Sequence, residues 1–373
     1  MERILTTPRH NWQTQVEALG CSYYMTGDKV YWNESAYYYF TAQEISLIQN
    51  ATLEIEMMCM ELIEDIVKEC RYNELDIPEY AWAFIESSWR KSEPQLCGRL
   101  DFSFDGIHPP KLLEYNADTA TSLLEASLLQ KQWLEQTRPN HQQFNHLHER
   151  LVATWPQFNT RLIHLTCVNE EEDDDDDMIE HIAYLGKTIY EAGLRANLLT
   201  IEKIGWNGDT LLDENDLPIT TLLKAYSWEW FSEAEFKRIV QSHIQLIEPA
   251  WKMLLSNKGL MVLLWKMFPH HPNLLPSFFE QKHLSGDYVK KPLQGQCGEN
   301  VSIHSDRGVI VSPIRDNKSK FIYQQAHLLP NFAGNYPVIG SWLIAGEAAG
   351  IGLREDDTPI TLNECRFVPH CFD

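Results

Sequence analysis

Two short runs of alternating polar and apolar residues carry the side chains in this sequence that are best suited to chemistry. The first run places Arg99 and Asp101 on one face of a strand, and the second does the same for Glu114 and Asn116. The link between them, DGIHPPK, contains a glycine and two prolines and predicts a hairpin connection. If the strands pair, two carboxylates and an amide converge on one point. Hard oxygen ligands of this kind suit a magnesium ion that also holds phosphate oxygens.

A plain structural role fits the same residue types equally well. A surface hairpin commonly has one polar and one apolar face, and Arg99 would then be a simple ion-pair partner. After the hairpin, Thr119, Thr121 and Ser122 precede a predicted helix, and Ser122 with Glu125 matches a capping box. A helix N-terminus can cap itself in this way and can also hold a carboxylate or a phosphate. Residue type alone leaves both interpretations open.

A glycine-bearing turn much later in the chain is the second candidate for chemistry. It follows Lys290, Lys291 and Pro292 and has glycines at Gly295 and Gly298. A lysine beside such a turn can neutralise phosphates while the backbone amides of the turn cover them. The GxxxxGK[ST] pattern is absent, and no GxGxxG follows a strand and opens a helix. The sequence therefore supports neither a Walker A loop nor a Rossmann nucleotide site.

An acidic run from Glu170 to Asp177 stands out in an already acidic chain. The simplest interpretation is a solvated loop that leads into a helix, because acids favour a helix N-terminus. A cationic substrate or a second metal ion is the alternative. The histidines have no metal-ligand spacing, and the chain contains no GxSxG element.

Composition excludes several classes of protein. The chain has 373 residues, 44% of them hydrophobic, which is enough to bury a substantial core. The formal net charge of -22 argues against non-specific binding to nucleic acid or to an anionic membrane surface. No apolar stretch is long enough to span a bilayer, and the first residues lack the apolar core of a signal peptide. Because the eight cysteines show no CxxC spacing, we expect reduced thiols and a cytoplasmic location.

The elements that must position these residues are mixed helices and strands. Thr41 and Glu44 form a capping box before a long helix, and a second helix is predicted to start at Pro78. Residues 161–204 have the pattern of a β–α–β unit, followed by a predicted hairpin in residues 205–219. The last hundred residues contain several strand-like segments. These features favour an α+β or α/β fold with an antiparallel catalytic sheet.

The sequence resembles the C-terminal synthetase module of the glutathionylspermidine synthase family, and above all its short stand-alone bacterial acid–amine ligases. The resemblance runs from about residue 10 to the end of the chain. Its most specific segments are CGRLDFSFDG, LLEYNADTATSLLEAS, LLSNKGLMVLLWKMFPHHPNLLP, YVKKPLQGQCGENV, FIYQQAHLLP and GIGLREDD. The resemblance implies an ATP-grasp-like fold with a pre-ATP-grasp-like α/β subdomain. It also implies three approximate regions, a helical and metal-hairpin part (1–160), an α/β part (161–225) and a nucleotide-binding part (226–373).

The resemblance also implies roles for residues in the matching motifs. The ligands of two magnesium ions would be Asp101, Glu114 and Asn116. The contacts to the carboxylate substrate or its acyl phosphate would be Arg99, Thr119 and Thr121, with Asp177 as a further substrate contact. The nucleotide contacts would be Lys291 and Lys320 at the phosphates, Gly295 and Gly298 in the covering turn, and Gln324 and Gln325 at the adenine hinge. Arg354 would face the transferred phosphate, so that Arg99 and Arg354 are the catalytic cations.

The activity that the resemblance implies is that of an ATP- and magnesium-dependent carboxylate–amine ligase, which forms an amide through an acyl phosphate. Its substrates would be a small-molecule acid and amine, such as a peptide-like acid and a polyamine. The chain departs from the family pattern at Gln296, which stands where the phosphate turn commonly has arginine. The amidase domain of bifunctional members is also absent from this sequence, and the acidic run is unusually long. Two alternatives stay open. One is a nucleotide-binding or partner-binding protein of the same fold with weakened catalysis, and the other is a ligase that modifies a protein or peptide terminus.

Overall fold

The computed structural model describes residues 1–167, 176–295, 298–314 and 320–373, and residues 176 and 177 in their backbone only. Helices and strands are mixed along these ranges. In these ranges the α-helices are α1 (Trp12–Glu17), α2 (Ala42–Lys68), α3 (Glu79–Arg90), α4 (Gln130–Thr137), α5 (Leu147–Thr154), α6 (Asp176–Glu191), α7 (Glu233–Ser242) and α8 (Leu260–Met267). None of the described helices is long and apolar enough to cross a membrane.

The strands within the same ranges fall into three large sheets and three small ones. They are β1 (Glu2–Leu5), β2 (Met25–Thr26), β3 (Lys29–Val30), β4 (Ala36–Phe40), β5 (Cys97–Ser103), β6 (Lys111–Asn116), β7 (Leu162–Cys167), β8 (Arg195–Thr200), β9 (Gly205–Trp206), β10 (Leu211–Leu212), β11 (Thr221–Lys224), β12 (Gln245–Ile247), β13 (Ser277–Phe278), β14 (Tyr288–Pro292), β15 (Ser302–Ser305), β16 (Gly308–Val311), β17 (Phe321–Gln325), β18 (Tyr336–Ile344), β19 (Glu347–Asp356), β20 (Arg366–Val368) and β21 (His370–Phe372).

The predicted hairpin of β5 and β6 is confirmed, and it forms one edge of an antiparallel sheet. The strand order is β20–β19–β18–β5–β6. Asp101 pairs with Glu114 and Arg99 pairs with Asn116, so the four polar residues lie side by side. Long helix α2 packs behind the sheet, where the hydroxyls of Thr52 and Ser341 lie 2.7 Å apart. Coverage by α2 explains why β5 is buried on both faces instead of having one face in solvent.

A four-stranded parallel sheet confirms the predicted β–α–β unit. Its strand order is β12–β11–β7–β8, with α6 connecting β7 to its parallel neighbour β8. The buried strand residues Ile163, Leu165 and Leu222 supply its apolar interior. The predicted hairpin in residues 205–219 is present as the short antiparallel pair β9 and β10. In a parallel sheet all strands end on the same edge, which is where ligands of α/β proteins bind.

A third sheet carries the glycine-bearing turn. Its strands are antiparallel in the order β13–β17–β14–β15–β16, and β14 and β15 are the predicted strand and returning strand. Alternation along β14 places Lys291 on the face that is directed towards β6, where its amine contacts Leu113. The mixture of parallel and antiparallel sheets with helices agrees with the α+β or α/β class predicted from the sequence.

The three predicted helix starts are confirmed, but one of the two predicted capping boxes is wrong. Thr41 and Glu44 form the capping box of α2, α3 follows Pro78 directly, and a helical segment begins at Leu123, directly after Ser122. The side chain of Ser122 does not cap this segment, because its φ of 69° is left-handed while an N-cap residue is extended. The hydroxyl of Ser122 instead lies 3.1 Å from that of Tyr31, and a π-helical turn at Glu125–Leu129 leads into α4. Sequence spacing alone did not reveal this tertiary contact.

One buried histidine links the fold to acid sensitivity. His370 on β21 is fully buried, and its Nδ1 lies 2.8 Å from Oε1 of Gln130. Its Nε2 has no hydrogen-bond partner among the described residues. Burial lowers the pKa of His370 to about 3, because a charged ring would leave a second N–H without an acceptor.

We expect His370 to lower the free energy of unfolding as the solution is acidified. Its folded-state pKa lies below the value of about 6.5 in the unfolded chain, so the unfolded chain takes up the proton first. The contribution of the neutral His370 ring to the free energy of unfolding is complete above about pH 6.5 and is lost as the pH falls towards 3. Between pH 7 and pH 5 the loss is about 2 kcal/mol. Urea unfolding at both pH values should show a smaller loss in His370→Gln than in the wild type, and equal losses would contradict this assignment.

Candidate functional site

The open end of the β5–β6 hairpin gathers the polar side chains that the sequence singled out. The Nδ2 atom of Asn116 lies 3.2 Å from Oδ2 of Asp101 and 3.4 Å from Oε1 of Glu114. This convergence follows from the register, since Asp101 and Glu114 are directly opposite each other and Asn116 is one alternation further along β6. The two carboxylates and the amide therefore form one cluster.

Asp101 lies between two arginines and is 2% exposed. Nε of Arg99 donates to Oδ1 of Asp101 at 2.7 Å, and Nη2 of Arg354 donates to Oδ2 at 2.6 Å. Arg354 comes from β19, two strands away in the same sheet, so sheet formation brings it to the hairpin. A buried carboxylate with two arginine partners does not belong to a plain surface hairpin, and that interpretation of the sequence is wrong.

Lys258 is a member of this cluster that sequence reasoning missed. Its Nζ lies 3.5 Å from Oε2 of Glu114 and donates to the carbonyl of Gly295 at 2.6 Å. It therefore connects the hairpin to the glycine-bearing turn. A signal was present in the sequence, because Lys258 stands two residues before the start of the apolar helix α8. A cation at a helix N-terminus opposes the helix dipole and suggests that an anion binds there.

Lys291 reaches the other side of the cluster. Its Nζ donates to the carbonyl of Leu113 at 3.1 Å and to Oε1 of Gln324 at 2.9 Å. The amide of Gln324 in turn donates to the hydroxyl of Ser277 at 3.2 Å and is buried. Gln324, which the resemblance implies is an adenine contact, thus orients the Lys291 amine in this structure.

The charges of the cluster act on one another strongly. Burial alone would raise the pKa of Glu114, but the surrounding cations, first Lys258 and then Lys291, outweigh it and lower the pKa to about 2. Burial lowers the pKa of Lys291 to about 8 against the opposing effect of Glu114. Burial would also lower the pKa of Arg354, yet the carboxylate of Asp101 reverses the effect and raises it. The Glu114 carboxylate is therefore ionised at neutral pH.

Cations outnumber carboxylates in this cluster, although the whole chain carries a net charge of -22. Among the residues that the structure describes, the cluster contains two carboxylates and four cationic side chains, which are Arg99, Lys258, Lys291 and Arg354. A buried excess of positive charge is unfavourable unless an anion joins it. The arrangement is thus suited to hold phosphate or carboxylate groups, which supply the missing negative charge.

Lys320 is not brought into the cluster. Its ammonium lies 2.7 Å from Oδ1 of Asp76 in an exposed ion pair. The geometry offers Lys258 for the phosphate role that the resemblance implies for Lys320, and that role of Lys320 stays a prediction without geometric support. Gln325 is exposed, with its backbone amide donating to Pro276. Of the two residues predicted at the adenine hinge, only Gln324 contacts the cluster.

The predicted substrate contacts lie beside Arg99. Its Nη1 donates to the carbonyl of Thr121 at 2.6 Å, while the hydroxyl of Thr119 donates to Asp118 at 3.3 Å. A small cavity adjoins both threonines, and its walls include His181. The side chain of Asp177 and the whole of Gln296 lie outside the described residues, so both predictions about them stay predictions.

The two glycines of the turn occupy conformations that other residues rarely adopt. Gly295 has φ 142° and Gly298 has φ 69°. A Cβ on Gly298 would lie 2.6 Å from the carbonyl of Thr361, which is too close for any other residue type. The turn therefore depends on glycine for its shape and for its close approach to the segment after β19.

The donor set fits a magnesium ion that takes its remaining ligands from phosphate or water. Asp101 and Glu114 offer hard carboxylate oxygens within one cluster, and Asn116, whose Nδ2 donates to both, would offer its amide oxygen after a rotation of the side-chain amide. Within the described part of the chain, no three acidic, histidine or cysteine side chains come close enough to hold a metal ion. Magnesium usually binds through one or two carboxylates and substrate phosphates, so two acids suffice for it.

Comparison with known proteins gives three findings. A family model described as glutathionylspermidine synthase preATP-grasp matches residues 3–373. A protein of Haemophilus influenzae described as a candidate acid–amine ligase is 39% identical over 395 residues, which cover 100% of both chains. The bifunctional glutathionylspermidine synthetase/amidase of Escherichia coli is 27% identical over 401 residues. That alignment covers 96% of this chain and 63% of the Escherichia coli protein.

A solved structure supports the fold independently. A glutathione synthetase-like effector of Globodera pallida, in its apo form, superimposes with a TM-score of 0.52 at 12% identity. The superposition covers 90% of this chain and 88% of the other. At this identity the likeness concerns the fold alone, and it agrees with the ATP-grasp-like architecture expected from the sequence.

Proposed function

Because the chain belongs to the glutathionylspermidine synthase family, we propose that it is an ATP-dependent acid–amine ligase that forms an amide bond through an acyl phosphate. The observation that carries this proposal is the buried excess of cations at the hairpin, where Arg99 and Arg354 flank Asp101. Such a cluster can hold two anions, a nucleotide phosphate and a substrate carboxylate, at one place. The acid is peptide-like, and the amine is a primary amine or a polyamine.

In the first step an oxygen of the substrate carboxylate attacks the γ-phosphorus of ATP, and ADP leaves. Two anions must approach each other, so the repulsion between them is the main barrier that the protein has to offset. Lys258 and Lys291 would neutralise the nucleotide phosphates, while Arg99 and Arg354 would stabilise the charge that spreads over the transferred group. Arg99 lies in the proposed region 1–160 and the two lysines in the proposed nucleotide-binding region 226–373.

Magnesium would be held by Asp101, Glu114 and Asn116. When bound, it supplies further neutralisation of the phosphate oxygens. The protein side chains retain distinct roles, because Arg99 and Arg354 hold the Asp101 carboxylate in a fixed orientation. Lys258 connects Glu114 to the turn and would therefore contact the phosphates of a nucleotide bound there.

In the second step the amine nitrogen attacks the acyl carbon, the bond to the phosphate oxygen breaks, and the nitrogen loses a proton. Phosphate leaves with one of the original carboxylate oxygens. No side-chain nucleophile is needed. The turn at Gly295 and Gly298 would cover the acyl phosphate and exclude water, which would otherwise hydrolyse it.

The test is ADP formation with magnesium, ATP and pools of carboxylates and amines. The proposal expects ADP release that requires one acid and one amine together, with an amide of the combined mass minus water as product. Pools that lack either component serve as controls. ATP binding without turnover under any pool would favour a nucleotide-binding protein instead, and acid-independent ATP hydrolysis would contradict the acyl phosphate.

A further inference from the structure

A fully buried lysine ties the parallel sheet to the end of strand β6. Nζ of Lys224, the last residue of β11, donates to Oδ2 of Asp118 at 3.1 Å and to the carbonyl of Tyr226 at 2.9 Å. The Lys224 side chain is 0% exposed and that of Asp118 is 6% exposed. Asp118 also accepts from the amide of Trp228 at 3.3 Å and from the hydroxyl of Ser256 at 3.2 Å. One residue, Ala117, separates it from the predicted metal ligand Asn116.

A second buried pair holds the start of strand β5. Glu248 follows β12 directly, and its carboxylate accepts from the amides of Leu96 at 3.0 Å and Cys97 at 2.8 Å. Nζ of Lys252 donates to Glu248 at 2.8 Å and to the carbonyl of Cys97 at 2.6 Å. The Lys252 side chain is fully buried. The backbone of Cys97 is therefore bound on both its N–H and its C=O by one ion pair.

The two pairs meet the hairpin at the same end. Arg99 and Asn116 pair across β5 and β6, so the start of β5 and the end of β6 are neighbours. This is the end from which Arg99 reaches the carbonyl of Thr121. On the other side, Lys224 and Glu248 both lie at the carboxyl edge of the parallel sheet, one at the end of β11 and one after β12.

We propose that the ion pairs Lys224–Asp118 and Lys252–Glu248 are a positioning clamp that fixes Arg99 and Thr121 against the acid substrate. This inference rests on the proposed ligase function and adds residues to it that do not touch the reacting atoms. Within the described part of the chain, no hydrogen bond or ion pair joins either pair to Lys291 or Lys258, which would bind the nucleotide through the other side of the hairpin. The clamp therefore acts on the acid side of the site and leaves the nucleotide side unchanged.

Stability alone gives no reason for two buried ion pairs at this place. Removing two charges from water costs about as much as their attraction returns, and apolar residues of similar size often serve as well. What an ion pair adds is a fixed orientation of the segments it joins, because each carboxylate here accepts several hydrogen bonds from fixed donors. A displacement of about 1 Å at a reacting group can lower a rate by about 100-fold, so a fixed orientation matters at this position.

The experiment compares Lys224→Met and Lys252→Met with a control that loses stability elsewhere. Ile189→Ala creates a cavity at a fully buried residue near the C-terminal end of α6, whereas both ion pairs lie at the carboxyl edge of the parallel sheet. In each lysine variant kcat should fall by about 10- to 100-fold while the KM for ATP stays within about threefold. Ile189→Ala should lower the melting temperature and leave kcat within about threefold. Unchanged kcat in both lysine variants would overturn the proposal.

A double variant separates positioning from stability. In Asp118→Asn with Lys224→Met no unpaired charge is left, so the melting temperature should recover most of the loss seen in Lys224→Met. The link between β11 and the hairpin is still missing, so kcat should stay low. If kcat returns together with the melting temperature, the pair is only structural and the proposal is wrong.

Hydrogen exchange gives a readout that does not depend on turnover. The amides of residues 96–101 and 114–121 should exchange faster in Lys224→Met and Lys252→Met than in Ile189→Ala. If the wild type shows no ligase activity with any pool, the proposed function fails, and exchange still decides whether the clamp exists. Equal exchange in all three variants would overturn the clamp while leaving the ligase function intact.

Discussion

Replacing Asp101 by Asn should abolish most turnover and also weaken the fold. Asp101 is the carboxylate on which Arg99 and Arg354 converge, and it is a proposed magnesium ligand. Losing its charge removes a hard ligand and leaves the buried Arg99 and the partly buried Arg354 without their common partner. We expect kcat to fall by at least about 100-fold, as for loss of a preorganised charge at a reacting centre. We also expect the free energy of unfolding to fall by about 3–5 kcal/mol, as when one partner of a buried ion pair is removed.

The matched control is Asp105→Asn in the link of the same hairpin. Asp105 accepts from the amides of Ile107 and His108 at 2.8 Å and lies outside the cluster. Its replacement should leave kcat within about twofold. Folding is checked by urea unfolding, and binding by the rise in melting temperature that ATP with magnesium gives to the wild type. If Asp101→Asn keeps wild-type kcat, the hairpin is not the reacting centre.

Replacing Lys258 by Met should weaken nucleotide binding far more than replacing Lys320. Lys258 lies between Glu114 and the carbonyl of Gly295, whereas Lys320 forms an exposed ion pair with Asp76. A buried charge directed at phosphates is worth more than an exposed one, which water and salt screen. We expect Lys258→Met to raise the KM for ATP by about 10- to 100-fold and Lys320→Met to have an effect at least about tenfold smaller.

Lys266→Met is the control for the helix that follows Lys258. Lys266 lies near the end of α8, in an ion pair with Glu74 that is distant from the cluster. It should leave the KM for ATP unchanged within about twofold. Titration of each variant with an ATP analogue, followed by calorimetry, measures binding without turnover. A larger loss of affinity in Lys320→Met than in Lys258→Met would show that the assignment from the sequence is right and the one from geometry is wrong.

The hairpin could be predicted from the sequence because its signals are local. Alternation assigns Asp101 and Glu114 to one face, and the glycine and prolines of the link close the turn. The β–α–β unit and the capping box at Thr41 and Glu44 are local in the same sense, and all three are confirmed. Patterns of this kind depend on neighbours within a few residues, which the sequence displays directly.

The rest of the site depends on contacts between distant segments. Lys258 belongs to the cluster because the N-terminus of α8 lies beside β6. Lys320 lies outside the cluster, in an ion pair with Asp76. The spacing of Ser122 and Glu125 matched a capping box, but Ser122 has a left-handed backbone and its hydroxyl contacts that of Tyr31. Lys224 and Lys252 gave no signal, since a lysine in a sequence does not show that it will be buried.

Transfer of oxygen from the acid to phosphate tests the central proposal most directly. The acid identified from the pools is labelled with oxygen-18 in its carboxylate and incubated with ATP, magnesium and the amine. If the carboxylate attacks the γ-phosphorus, the released phosphate contains one labelled oxygen for each amide formed, and mass spectrometry of the phosphate measures it. Phosphate without label, in a reaction that forms the amide, would contradict the acyl phosphate and with it the role proposed for the Arg99–Asp101–Arg354 cluster.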